Sequence, residues 1–451
     1  MKKQRRFRAR AAAMGLAGLL ALTGCAGAGG GPSSSGPDSI NVIMVNNNQM
    51  LDLQKLTADH FTKDTGIKVN FTVMPENDAR AKITQEFSWQ SGQYDVATLS
   101  NYEIPFFADN GWLSPLDDTV AADPEFDQDD ILEGYTRSLT GSDGHLYGEP
   151  FYGESSLVMY RKDILAKHHL SLPDNPTWEE VAEVAKQVDE AEEGMKGICL
   201  RGLPGWGQVF APLGSVVNTF GGTWFEKDWT PKVNATEFKE AVTFYTDLLR
   251  EHGEAGAAQS GYAECLNNMV QSKTAMWYDA SAGAATLEAS DSPVKGKIGY
   301  TQAPVKETEH SGWLWTWSWG IQKASKKQEA AAEFVKWASS KEYEQLVADE
   351  LGWASAPAGK RLSTYENPEY QKDAPFAKAE QEAVMNANPD DPGVQPRPYK
   401  GIQFAGIPEF ADLGTAVSED ISAVIAGKMT VDEALDRGQK RAERVAESYR
   451  K

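Results

Sequence analysis

The stretch from Ile40 to Leu99, INVIMVNNNQMLDLQKLTADHFTKDTGIKVNFTVMPENDARAKITQEFSWQSGQYDVATL, alternates two kinds of hydrophobic pattern. Ile40 to Val45 is a short apolar run suited to a buried strand. Leu53, Leu56 and Phe61 then recur at near-helical spacing until Gly66 supplies a helix C-cap. Ile67 to Met74 reads as a second strand, and a polar helix from about Asn77 to Gln90 leads to a third at Tyr94 to Leu99. The order β-α-β-α-β predicts an α/β protein built on an open, mostly parallel sheet. Ligands of such sheets sit beyond the carboxyl ends of the strands, which places Asn46 to Asn48, Met74 to Asp78 and Asn101 to Glu103 beside a ligand.

Outward from this core, 451 residues exceed what one hydrophobic core usually supports, so two domains are expected. A hydrophobic share of 41% and a charged share of 24% fit a soluble globular protein. Thr177-Trp178-Glu179-Glu180 is a capping box that opens a helix with Val181, Ala182, Ala185 and Val188 on one face. A second helix over Phe238 to Arg250 ends near Gly253, which predicts a second α/β lobe. Strand-like patterning returns over 296–323, and Phe334 to Trp337 lie on a further amphipathic helix, so the chain is expected to cross between lobes several times and form a hinge. The expected lobes are 39–151 plus about 296–340, and 152–295 plus about 341–451. No internal repeat points to a solenoid.

At the N-terminus, Lys2, Lys3, Arg5, Arg6, Arg8 and Arg10 precede the apolar run Ala11 to Leu22, which is short for a membrane span and suits a signal peptide over 1–24. The run ends in Leu22-Thr23-Gly24-Cys25, which resembles the lipobox of bacterial lipoproteins; the resemblance implies export and diacylglycerol attachment at Cys25. The Gly/Ser/Pro-rich stretch over 25–38 then reads as a flexible tether. Loss of six positive charges with the signal peptide takes the net charge from −21 to −27. A chain this acidic is repelled by phosphate backbones and anionic lipids, so no nucleic acid is expected as partner and no membrane contact beyond the lipid anchor. With Cys25 lipidated, Cys199 and Cys265 remain as an even pair outside the reducing cytosol. A disulfide is the natural reading, worth roughly 4 kcal/mol by chain entropy, with two buried free thiols as the alternative. The six His residues form no recognisable metal pattern, and neither a metal nor a cofactor is expected.

Function begins to show in the aromatic residues. Trp313, Trp315, Trp317 and Trp319 alternate with Leu314, Thr316 and Ser318, which puts four indoles on one face of a strand. Indoles cover the C–H faces of carbohydrate and donate hydrogen bonds from their N–H groups, while core packing is expected to use at least two of the four. The motifs VNNNQML, PENDAR, GICLRGLPGWG, FGGTWF, AMWYDA, WLWTWSW, LGWASAP, STYENPEYQ and PYKGIQFAGIPEF occur in this order along the chain. Over Ile40 to about Lys440 they resemble the family 1 extracellular solute-binding proteins of ABC importers, and among these the sorbitol/mannitol binders. The resemblance implies a two-lobed periplasmic-binding-protein-like fold with a hinge and a ligand cleft between the lobes. It also implies an extracytoplasmic monomer that captures a sugar alcohol or small sugar and passes it to permease subunits, without catalysis. Carried over by motif, Asn47, Glu76, Tyr102, Glu154, Arg201, Trp206, Asp279, Trp315 and Arg397 are the candidate ligand contacts, and Asp279 is expected to accept hydrogen bonds from two neighbouring ligand hydroxyls. Two alternatives stand beside this reading: a di- or oligosaccharide as cargo, and a secreted glycoside hydrolase using carboxylates among Glu76, Glu103, Glu154 and Asp279.

Overall fold

A computed structural model describes residues 39–450; the expected signal peptide, the lipidation site at Cys25 and the tether lie outside the described residues. Two sheets organise the body. The strands are β1 (Ser39–Val45), β2 (Lys68–Met74), β3 (Val96–Ser100), β4 (Glu149–Glu154), β5 (Ser156–Arg161), β6 (Lys196–Cys199), β7 (Thr274–Ala280), β8 (Ile298–Gln302) and β9 (Trp315–Ile321). The first sheet has the order β2-β1-β3-β9-β4 and the second β6-β7-β5-β8.

In the first sheet β1 pairs in parallel with both β2 and β3, as the alternating patterns predict. Its apolar run is buried almost throughout, and the helices Glu76–Ser88 and Gln328–Ser339 pack against it. The helical segment that begins at Asn48 ends at Gly66, which takes the left-handed conformation (φ +76°) that a C-capping glycine adopts without strain. β9 and β4 then join in antiparallel fashion. The second sheet has one parallel pair, β6 with β7, while β5 runs antiparallel to β7 and to β8.

Three placements differ from the sequence expectation, the first being that residues 152–154 complete β4 and so stand in the first sheet and not the second lobe. β8 pairs with β5, so 298–302 stands in the second sheet and not the first. Residues 341–361 stand with the first: Tyr343 packs 5.9 Å from Phe151 of β4, and the amide of Gly153 donates to the carbonyl of Ala358 at 3.0 Å. A Cβ at Gly359 would lie 2.0 Å from the Gly153 carbonyl oxygen, so glycine permits this approach. Alternating burial identifies a strand but not the sheet it joins, and the two adjacent strand patterns in 296–323 divide between the two sheets. The chain crosses between lobes at Ser155, again between β8 and β9, and once more before the helix Ala377–Asn386, which packs on β5 and β8.

Cys199 at the end of β6 and Cys265 in the helix Tyr262–Val270 form a disulfide with a Cα–Cα distance of 5.5 Å. Among the described residues no helix is long and apolar enough to cross a membrane.

Buried carboxyl groups give the fold a pH dependence. Glu149 at the start of β4 is fully buried. Burial pushes its carboxyl up to about 8, Arg361 and Gln128 only partly offset this, and Asp117 adds to it. The unfolded chain releases this proton near 4.5 and the folded chain holds it to about 8. The folded form therefore binds more protons in that window, and stability falls as pH rises through it, by at most about 1.4 kcal/mol per pH unit. Glu149→Gln is expected to reduce this slope. Urea unfolding of both proteins at two pH values inside the window checks it, and equal slopes would contradict the assignment.

Candidate ligand-binding site

A cavity of about 60 Å3 lies where the two sheets face each other. The first lobe lines it with Val45, Asn46, Asn47 and Glu76, which end or follow β1 and β2, and with Tyr152, Glu154, Trp315 and Trp317 from β4 and β9. Facing them across the cleft are Arg201, Tyr262, Gln403 and Phe404. Asn47 is held from two sides: its Oδ1 caps the following helix by accepting from the Met50 amide at 3.0 Å, and its Nδ2 donates to the Tyr152 hydroxyl at 3.1 Å.

Arg201 is the anchored cation of the second lobe. Its Nε donates to Asp279 Oδ2 at 2.8 Å, its Nη2 to Asp279 Oδ1 at 2.5 Å and its Nη1 to the Gly207 carbonyl at 3.0 Å. The guanidinium carbon stands 5.2 Å from the centre of the Tyr262 ring. Burial alone would lower the pKa of this guanidinium, but Asp279, joined by Glu76 and Glu154, offsets burial and raises it. Glu154 is buried at the cavity wall, and no hydrogen-bond donor among the described residues reaches its carboxyl. Burial, only partly offset by Arg201, raises it well above the ordinary carboxylate range. Its carboxyl oxygens offer acceptors to a hydroxylated ligand.

A second buried cation clasps the lobes. Arg80, in the helix Glu76–Ser88, donates to Glu76 at 3.0 Å and to Glu103 at 2.6 Å. Its guanidinium lies 4.5 Å from the ring centre of Trp317 in its own lobe and 4.4 Å from that of Trp206 in the other. Gln208 Nε2 donates across the cleft to Glu76 at 3.0 Å, and Asn77 Nδ2 donates to the Pro204 carbonyl at 3.1 Å.

Of the nine candidate contacts, the cavity brings together Asn47, Glu76, Glu154, Arg201 and Trp315. The other four stand outside its wall. Both Asp279 oxygens are taken by Arg201, the Trp277 indole N–H and the Ala280 amide, so the carboxylate sits behind Arg201 with no exposure to the cavity. Tyr102 donates to the Ile407 carbonyl at 2.9 Å and packs on Trp206, 4.6 Å between ring centres. Trp206 belongs to the Arg80 clasp. Arg397 donates from Nη2 to Asn218 Oδ1 at 3.0 Å and braces a loop. Of the four alternating indoles, Trp315 and Trp317 line the cavity, while Trp313 and Trp319 are core, the latter 5.6 Å from Phe334.

The profile of the bacterial extracellular solute-binding protein family matches residues 47–345. The chain belongs to this family. Among its relatives, the mannitol-binding protein of Pseudomonas aeruginosa is 36% identical over 408 residues, 90% of this chain and 92% of the relative. An ABC transporter solute-binding protein of Agrobacterium vitis with bound D-mannitol superposes with a TM-score of 0.88 at 41% identity, over 91% of this chain and 99% of the other. The corresponding protein of Agrobacterium radiobacter in complex with ribitol gives 0.80 at 26% identity, over 90% and 98%. The fold is thus the two-lobed one of periplasmic binding proteins.

As an extracellular solute-binding protein, the chain adds cavity residues that the candidate set lacked: Tyr152, Tyr262, Trp317, Gln403 and Phe404. Trp317 and Tyr152 neighbour candidates in the sequence, and Gln403 and Phe404 lie within the motif PYKGIQFAGIPEF. Tyr262 carried no sequence signal; it opens the helix that the disulfide ties to β6, two residues before Arg201.

Proposed function

We propose that the protein captures a linear sugar alcohol outside the cell, closes its lobes on it and delivers it to the permease of an ABC importer. The carrying observation is the cavity itself, in which Glu154, Arg201, Asn47 and Glu76 meet Trp315, Trp317, Tyr152 and Tyr262. A neutral polyol presents hydroxyls that act as donors and acceptors, which these polar groups match, and a carbon chain that the rings cover. About 60 Å3 holds only a few water-sized groups, which favours a polyol or monosaccharide over an oligosaccharide. Relatives with mannitol and ribitol support the same ligand class. Calorimetric titration with mannitol, ribitol and maltose tests the reading. Tight binding of a polyol, recovered unchanged, with altered tryptophan fluorescence is the expected result; heat from maltose alone overturns it.

Attachment to the membrane through a lipid on Cys25 completes the proposal, supported by the basic and apolar run that ends in Leu22-Thr23-Gly24-Cys25. A monomer anchored in this way then suffices to reach the permease. Only the Cys thiol accepts diacylglycerol, so Cys25→Ser is expected to abolish lipid labelling and partitioning into detergent. Partitioning that persists in the Ser variant rejects the anchor.

A further inference from the structure

The ligand cavity shares a wall with a groove of about 470 Å3 that opens to solvent, and the shared residues are Trp315, Gln403 and Phe404. The groove carries Tyr102 and Phe106 from the first lobe and Tyr399 and Lys400 from the second, a mixture of aromatic and polar groups that suits carbohydrate. Phe404 lines both spaces, with its ring centre 5.5 Å from that of Trp315 and 4.9 Å from that of Trp206.

The segment that holds Phe404 is braced from both lobes. Asn218 Nδ2 donates to the Ile402 carbonyl at 2.6 Å, and Arg397 donates to Asn218 Oδ1 at 3.0 Å and to the Gly401 carbonyl at 3.4 Å. Gly214 lets its helix approach closely, since a Cβ there would lie 2.0 Å from the Gln403 carbonyl oxygen. From the first lobe the Tyr102 hydroxyl holds the Ile407 carbonyl. Two of the candidate contacts that miss the cavity, Arg397 and Tyr102, thus converge on one short segment.

We propose that Phe404, with Gln403, is a partition that sets the permitted ligand length, and that Arg397 is the positioning residue that keeps it closed. The groove behind it is a latent subsite with the chemistry to take a glycosyl unit joined to a polyol. This rests on the polyol reading above.

The test is calorimetry of the wild-type protein, Phe404→Ala and Arg397→Ala, each titrated with mannitol and with maltitol, a glucosyl alditol. The wild type is expected to bind mannitol and give no heat with maltitol. Phe404→Ala is expected to gain maltitol affinity by at least about tenfold while mannitol weakens by about ten- to hundredfold. Arg397→Ala is expected to shift the ratio of the two affinities in the same direction, whereas a merely structural role would weaken both alike. A folded Phe404→Ala that binds mannitol but not maltitol overturns the partition, as does a wild type that binds both equally. Should Phe404→Ala not fold, Gln403→Ala and Arg397→Ala carry the same criterion. A wild type that binds no polyol instead overturns the underlying reading.

Discussion

Arg201→Met is expected to lower the stability of the protein by about 3–5 kcal/mol and to abolish ligand binding. The variant retains much of the side-chain volume but strands Asp279, a carboxylate with no exposure to solvent whose two oxygens accept two of the three Arg201 bonds. Removing one partner of a buried ion pair costs far more than the pair itself contributes, because the remaining charge keeps its desolvation penalty. The double variant Arg201→Met/Asp279→Leu removes both charges and is expected to regain most of the lost stability while still failing to bind. Urea unfolding and calorimetry on the three proteins separate the effects. A single variant within about 1 kcal/mol of wild type, below the range for a broken buried pair, would refute the account.

Arg80→Met is expected to loosen the closed lobes and to destabilise the first of them. Glu103, buried with its carboxylate on Arg80, loses its counter-charge, again at a cost of about 3–5 kcal/mol. The contact of the guanidinium with Trp206 is one of the links across the cleft, and such contacts are worth about 0.5–2 kcal/mol. Ligand affinity is therefore expected to fall about 2- to 30-fold even though Arg80 does not line the cavity. Arg80→Lys keeps the charge without the planar fork and is expected to restore stability more than affinity. Small-angle X-ray scattering with saturating mannitol supplies the decisive readout. A radius of gyration equal to that of the liganded wild type, with unchanged affinity, would remove Arg80 from the closure.

The order of the first strands was legible in the sequence because each element carries its own local signal: an apolar run, a helical spacing, a capping glycine. Asn47 and Glu76 were legible for the same reason, since they follow strand ends and such ends form clefts. The role of Asp279 was not, because a residue type near a strand end does not reveal that an arginine 78 positions earlier neutralises it. Arg397 is similar, held by an asparagine 179 positions away. The division of 296–323 between two sheets also depends on partners far along the chain, and periodicity reports burial without naming what does the burying.

The position of β9 has a consequence for how the chain is made. It lies between β3 and β4, and Ser318 reaches the carbonyl of Leu99, 219 residues earlier. Until ribosomal synthesis reaches Trp315, β3 and β4 lack the strand that joins them. Contacts of such long sequence separation form late and slowly. A nascent chain whose first sheet remains incomplete until its final third is a chain that stays threadable for most of its synthesis.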